Sequence, residues 1–163
     1  MVGLRDASLE NARAIQSELL QLLEGMDYCL DWKPDPSSWC VREVVYHLLD
    51  TPPGGIHSIL QGTLSGELEE FDLWADRTNM TPERQSKDIE QVLADINALF
   101  RGVVGALEPA TDEDLTGKEV LAHLRSRGQD EPRTAQALLE GVFARHWREH
   151  LEQIGELRES LGM

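Results

Sequence analysis

Residues 132–161 read PRTAQALLEGVFARHWREHLEQIGELRESL. Leu139, Val142, Phe143, His146, His150, Ile154, Leu157 and Leu161 recur at steps of three or four residues. That spacing is one face of a helix about eight turns long. Pro132 suits its first turn and Gly162 its end. Three more segments carry the same period. Leu9, Ala12, Ile15, Leu19, Leu22, Leu23 and Met26 predict a helix from about Ser8, as N-cap, to Met26, where Gly25 marks the stop. Ser38 to Asp50 predicts a second helix with Ser38 as cap, ended by Pro52-Pro53-Gly54-Gly55. Thr81, Pro82 and Glu83 open a third, whose seam is Ile89, Leu93, Ile96, Phe100, Val103 and Leu107, closed at Glu108-Pro109.

Shorter helical pieces are expected at Ile56 to Leu64 and around Lys118 to Arg125, and an acidic connection from Ser65 to Met80. Alternation of β-branched and polar residues is absent, so no strand is expected. The expectation is all-α: a four-helix bundle with extra short helices in the connections, one domain over residues 1–163.

Composition narrows the function. The chain has 163 residues, 15 basic against 30 acidic, and a formal net charge of −15. Phosphate backbones and anionic lipid heads repel such a surface, so neither nucleic acid nor membrane is expected as a partner. Lys33, Lys87 and Lys118 lie far apart and the twelve arginines are scattered among acids, so no basic cluster is expected. No apolar run approaches the roughly 20 residues that span a bilayer, and Met1 to Glu10 lacks a signal-peptide core. Cys29 and Cys40 are too few for a disulfide framework, so reduced thiols and a cytoplasmic location are expected.

The chemistry lies in the histidines. His146 and His150 share a helix face at i and i+4, on the stripe expected to face the core. Two buried imidazoles need a metal or dedicated hydrogen bonds to offset desolvation. A satisfied core pair, or a pair exposed at one end of the bundle, fits the same spacing. His47, on the edge of the second helix's Val41, Val44, Val45 and Leu48 stripe, adds a third imidazole if those two helices are neighbours. Three protein ligands leave an open coordination position, the catalytic pattern. His146 to His150 also spells H-x-x-E-H, but only thirteen residues follow for the further acidic ligand of an inverted zinc protease. Glu149 therefore reads as a solvated helix acid. His57 and His123 stand alone, and Cys40 reads as a small buried hydrophobe. Trp39, Trp74 and Trp147 pack in a core or wall a pocket.

Trp39-Cys40-Val41-Arg42-Glu43-Val44 leading to His47, followed late in the chain by His146-x3-His150, resembles the DinB-like superfamily, which includes damage-inducible DinB proteins, mycothiol-dependent maleylpyruvate isomerase and bacillithiol transferase-like proteins. The resemblance implies an up-down-down-up four-helix bundle and frequent homodimers. It implies a divalent metal, zinc or nickel foremost, held by His47, His146 and His150. It implies a metal-dependent thiol transferase or isomerase that uses a low-molecular-weight thiol. The alternative is a non-catalytic helical interaction protein, metal-stabilised or metal-free. The break at Pro52 to Gly55, and the segments Ser65 to Met80 and Ala110 to Glu131, depart from the family pattern. No residue beyond the three histidines is assigned a catalytic or cofactor-binding role.

Overall fold

A computed structural model describes residues 2–163, leaving only Met1 outside. The elements run α1 (Leu4–Leu22), α2 (Val41–Leu49), α3 (Ile56–Ser65), β1 (Glu70–Leu73), α4 (Pro82–Gln85), α5 (Ile89–Leu107), α6 (Asp112–Gly117), β2 (Glu119–Leu124), β3 (Gln129–Thr134) and α7 (Ala135–Ala137). A π-helical stretch (Leu138–Arg145) then leads without a break into α8 (His146–Ser160). The helix α1 packs on α5 and α8, while α2 packs on α8 and α5, so these four enclose the core. Leu9, Ile15, Leu19, Ile96, Phe100, Val103 and Leu107 are buried there. Phe100, Phe143 and Trp147 interlock edge to face at its centre, with centroids 5.2–6.0 Å apart. No helix among the described residues is long and apolar enough to cross a membrane.

The expectation that no strand forms is wrong. A three-stranded sheet lies in the order β1-β2-β3, with β1 parallel to β2 and β2 antiparallel to β3. The segment Lys118 to Arg125, expected to be helical, is mostly strand β2. Its Val120, Ala122 and Leu124 point inward while Glu119 faces water. Leu121, out of phase, blurs that alternation in the sequence. Pro132 pairs opposite Leu121 inside β3 rather than opening the last helix, a place proline can take only because β3 is an edge strand. The residues 125–128 join β2 to β3, and Gly128, at φ +66°, makes the left-handed step.

Helix boundaries shift where distant groups do the capping. The first helix starts at Leu4 rather than Ser8, because the Arg5 amide donates to the Asp112 carboxylate (2.9 Å) and its guanidinium to the Glu108 carbonyl (3.0 Å). Ser38 does not cap α2. Its hydroxyl donates to Asp35 (2.8 Å) in a turn, and the helix starts at Val41, where the Glu43 carboxylate accepts from the Cys40 amide (3.0 Å). The expected third helix is two helices. Thr81 caps the single turn α4 and Asp88 caps α5 afresh, its carboxylate accepting from the Gln91 amide (2.9 Å). Between them the Arg84 and Lys87 carbonyls turn aside to accept from the buried Arg42 guanidinium (3.0 and 2.6 Å).

The last helix begins at Ala135, capped by the Thr134 hydroxyl, which accepts from the Ala137 amide (3.0 Å). Its π-helical stretch has wider turns than an α-helix, which changes the phase of everything after it. Trp147, Leu151, Ile154 and Leu157 therefore carry the core face of α8. His146 and His150 rotate to its half-buried edge instead of standing in the stripe expected to face the core.

Candidate metal centre

His47 occupies the last turn of α2 and is completely buried. Pro52 and Pro53 stop that helix, so its final carbonyls need donors from elsewhere. Asn79 supplies them, its side-chain amide lying 3.3 Å from the Tyr46 and His47 carbonyls and 3.1 Å from the Thr51 hydroxyl. Asn79 sits at φ +60°, a left-handed conformation that asparagine tolerates better than most residues. That turn brings the Arg77 carbonyl against His47 Nδ1 at 2.5 Å. The Arg77 guanidinium lies 3.7 Å over the Trp74 ring.

The three histidines meet between α2 and α8. Their ring centroids are 4.8–5.0 Å apart. One donor atom from each lies within 4.8 Å of the other two. His150 Nδ1 is bonded to the Gln153 side-chain oxygen at 2.7 Å, and Trp39 stacks flat on the His150 ring (6.3 Å, 9°).

These partners set the tautomers. A carbonyl oxygen only accepts, so the Arg77 contact places the His47 proton on Nδ1, and the Gln153 side-chain oxygen places that of His150 on Nδ1. The bare Nε2 of His47 then faces the Nε2 of His146 at 3.0 Å. Burial holds both rings neutral. It pushes His47 below the usual histidine range and His146 down to about 3, with the neighbouring imidazoles adding to the effect. Zinc–nitrogen bonds of about 2.0–2.1 Å at a tetrahedral angle space donors about 3.3–3.4 Å apart. The 3.0 Å separation and the 4.8 Å limit bracket that spacing. Neutral imidazoles with oriented second nitrogens are the donor set a borderline divalent cation takes.

Two clefts reach the histidines from opposite sides. One, about 470 Å³, is lined by Ser37, Ser38, Trp39, His150 and Gln153. The other, about 380 Å³, is lined by His146 and by residues of the β2–β3 hairpin.

A sequence profile of the DinB superfamily matches residues 9–154. The chain belongs to the DinB superfamily. Its fold is also that of a solved structure, YfiT from Bacillus subtilis, described as a probable metal-dependent hydrolase with an unusual four-helix bundle topology. The two superpose with a TM-score of 0.72 at 21% identity, over 97% of this chain and 87% of that one. A search of curated proteins found no significant match.

Within this DinB-superfamily fold, the histidines singled out by spacing are the three that converge. His57 and His123 stay apart from them. His57 packs on Gly55 and Gly102, and His123 pairs with Asp130 on the sheet (2.7 Å). Cys40 is buried at the N-terminus of α2, its thiol raised to about 11 by burial. Of the tryptophans, Trp39 walls the centre and Trp147 fills the core. Glu149 is exposed, as a helix acid should be, yet it also lines the His146 cleft.

The expectation of no basic cluster fails here. Arg127, Arg133 and Arg145 line that same cleft. They were not legible because the first two come from a hairpin whose existence the sequence concealed. The supporting residues Arg77 and Asn79 were missed for a similar reason. Arg77 acts through its backbone carbonyl, to which its side-chain type is no guide. Asn79 left one weak signal, an asparagine of the kind that takes left-handed turns, two residues before the Thr81-Pro82 helix start.

Proposed function

We propose that this chain is a divalent-metal-dependent enzyme whose cation is held by His47, His146 and His150. The single observation that carries this reading is the convergence of one imidazole nitrogen from each of the three histidines within 4.8 Å, with the His47 proton committed to the Arg77 carbonyl. An N–H···N bond between His146 and His47 satisfies only that pair, whereas a cation engages a nitrogen of all three rings. Zinc or nickel suits three imidazoles. The reading includes the up-down-down-up connectivity of the superfamily.

A bound divalent cation in such a site lowers the pKa of a thiol or water and stabilises the resulting anion. The protein's own part is orientation. The Arg77 carbonyl and the Gln153 side chain fix the rings of His47 and His150, and Trp39 lies parallel to the His150 ring. His47 is sealed from solvent, while His146 and His150 each border a cleft, so incoming reactants meet the α8 side of the centre. The preferred chemistry is thiol transfer or isomerisation with a low-molecular-weight thiol. Hydrolysis is the second reading, favoured by Glu149 beside His146, an exposed carboxylate able to accept a proton from water.

Metal content of purified protein, after incubation with zinc or nickel and dialysis, tests the centre. The expected result is close to one ion per chain, lost in His47→Ala and His146→Ala. Retention of metal by both variants, or no metal in the parent, refutes it and returns the chain to the non-catalytic reading. With metal bound, turnover of a model electrophile that requires added thiol supports transfer. Thiol-independent ester cleavage, abolished by Glu149→Gln, supports hydrolysis.

A further inference from the structure

The cleft beside His146 has a character at odds with the rest of the molecule. The chain carries a net charge of −15. Three of its twelve arginines nonetheless converge on this one cleft of about 380 Å³. Arg127 comes from the turn between β2 and β3, Arg133 from β3, and Arg145 from the end of the π-helical stretch. Arg133 is part-paired, its Nε and Nη2 donating to Glu131 at 3.2 and 2.8 Å. Its Nη1 lies on the other side, toward Gly141 in the cleft wall. Among the described contacts, Arg127 and Arg145 donate to no carboxylate. Leu73, Leu124 and Val142 give the cleft an apolar wall, and His146 lines it beside them.

We propose that this cleft binds a small organic molecule through a carboxylate, held by Arg127, Arg133 and Arg145, with the molecule's reactive end at His146. The inference rests on the metal-centre reading for its reactive end and on the arginines alone for its anion. Guanidinium forks recognise carboxylates through paired hydrogen bonds, and unlike lysine they do so with fixed geometry. Charge selects the class. Away from the metal centre, Glu131, paired with Arg133, and Glu149 offset two of the three arginines, leaving one positive charge for the anionic end of the ligand, which matches a single carboxylate and disfavours a phosphate dianion. The apolar wall suits the short carbon chain between carboxylate and reactive atom. The carboxylate can belong to a thiol or to the molecule with which the thiol reacts.

The test is a binding titration of isotope-labelled protein by NMR, with three small probes. On zinc-loaded protein, 3-mercaptopropionate is compared with 2-mercaptoethanol, and butyrate is then added beside saturating 2-mercaptoethanol. The expected result is about ten-fold tighter binding of the carboxylate thiol, or millimolar butyrate binding not displaced by 2-mercaptoethanol. The first outcome assigns the carboxylate to the thiol and the second to its co-reactant. Either effect should vanish in Arg127→Gln/Arg133→Gln, persist in Arg101→Gln on the exposed face of α5, and weaken with added salt. Equal affinity of the two thiols without butyrate binding overturns the proposal, as does a preference that survives the double substitution. Inorganic phosphate binding more tightly than butyrate overturns the carboxylate assignment. Butyrate is also titrated onto metal-free protein. Arginine-dependent binding there, in a chain that takes up no zinc, sinks the metal-centre reading and leaves the cleft standing. One zinc per chain without any carboxylate preference does the reverse.

Discussion

Replacing Asn79 should damage both the fold and the metal centre, in proportions that two variants separate. Its side-chain amide has two protons and three acceptors within 3.1–3.3 Å, so two good bonds are at stake. Each contributes about 1 kcal/mol, and the abandoned carbonyls of Tyr46 and His47 sit at a buried helix end, where the loss is at the upper side of that range. Alanine adds about 1 kcal/mol of strain at φ +60°. Asn79→Ala should therefore cost about 3 kcal/mol. Glycine accepts the backbone conformation, so Asn79→Gly should cost about 2 kcal/mol. Both variants free the segment that presents the Arg77 carbonyl to His47 Nδ1. Losing an outer partner of a metal-bound imidazole typically weakens affinity 10- to 100-fold. Urea denaturation of metal-free protein reads the first effect, and competition with a chromogenic chelator reads the zinc affinity. The reasoning is refuted if Asn79→Gly keeps parental zinc affinity while its stability drops as calculated. Asn79 would then brace the helix without positioning the ligand.

Three further outcomes are expected. Metal-free protein should lose stability as pH falls below about 6.5, because the unfolded chain takes up protons that the folded chain binds less readily, His47 being held below its ordinary value by burial and His146 down to about 3. Each such proton contributes a slope of about 1.4 kcal/mol per pH unit, and His146→Ala should flatten the curve by that amount between pH 6.5 and 5. Arg42→Met should destabilise by about 2–4 kcal/mol in thermal unfolding, since it strands the Arg84 and Lys87 carbonyls and leaves Asp31 with Gln85 but no cation. An unchanged melting point would show that the junction of α4 and α5 holds without it. Cys40 should resist iodoacetamide in the native state at pH 8, its thiol standing near 11 inside the fold, whereas urea should expose it to rapid alkylation. Rapid native labelling of Cys40, located by peptide mass, would contradict that burial.

Much of this protein was decided locally and could be read in the chain. The apolar periods of α1, α5 and the last helix reflect a 3.6-residue repeat that any tertiary packing must respect, and most of the apolar residues they mark, among them Leu9, Ile15, Ile96, Phe100 and Ile154, are in the core. The i, i+4 spacing of His146 and His150 needs only a helix to bring the rings together. What escaped local reading depends on groups far apart in sequence. Strand β1 exists because Glu70 to Leu73 meets Leu121 to Leu124, some fifty residues later, and neither segment has the alternation to announce it. The start of α1 depends on Asp112, and the break before α5 on Arg42. The π-helical stretch rotates α8 so that Trp147 takes the core and the histidines take its edge, a phase change no regular repeat encodes. The arginine-lined cleft needs the hairpin, the last helix and the metal-centre loop assembled at once. Sequence alone sets helical faces and the identity of the donors, because those follow from neighbours within one turn. The partner of each donor, and the cleft that reaches it, are set by contacts between elements, which only the folded chain makes.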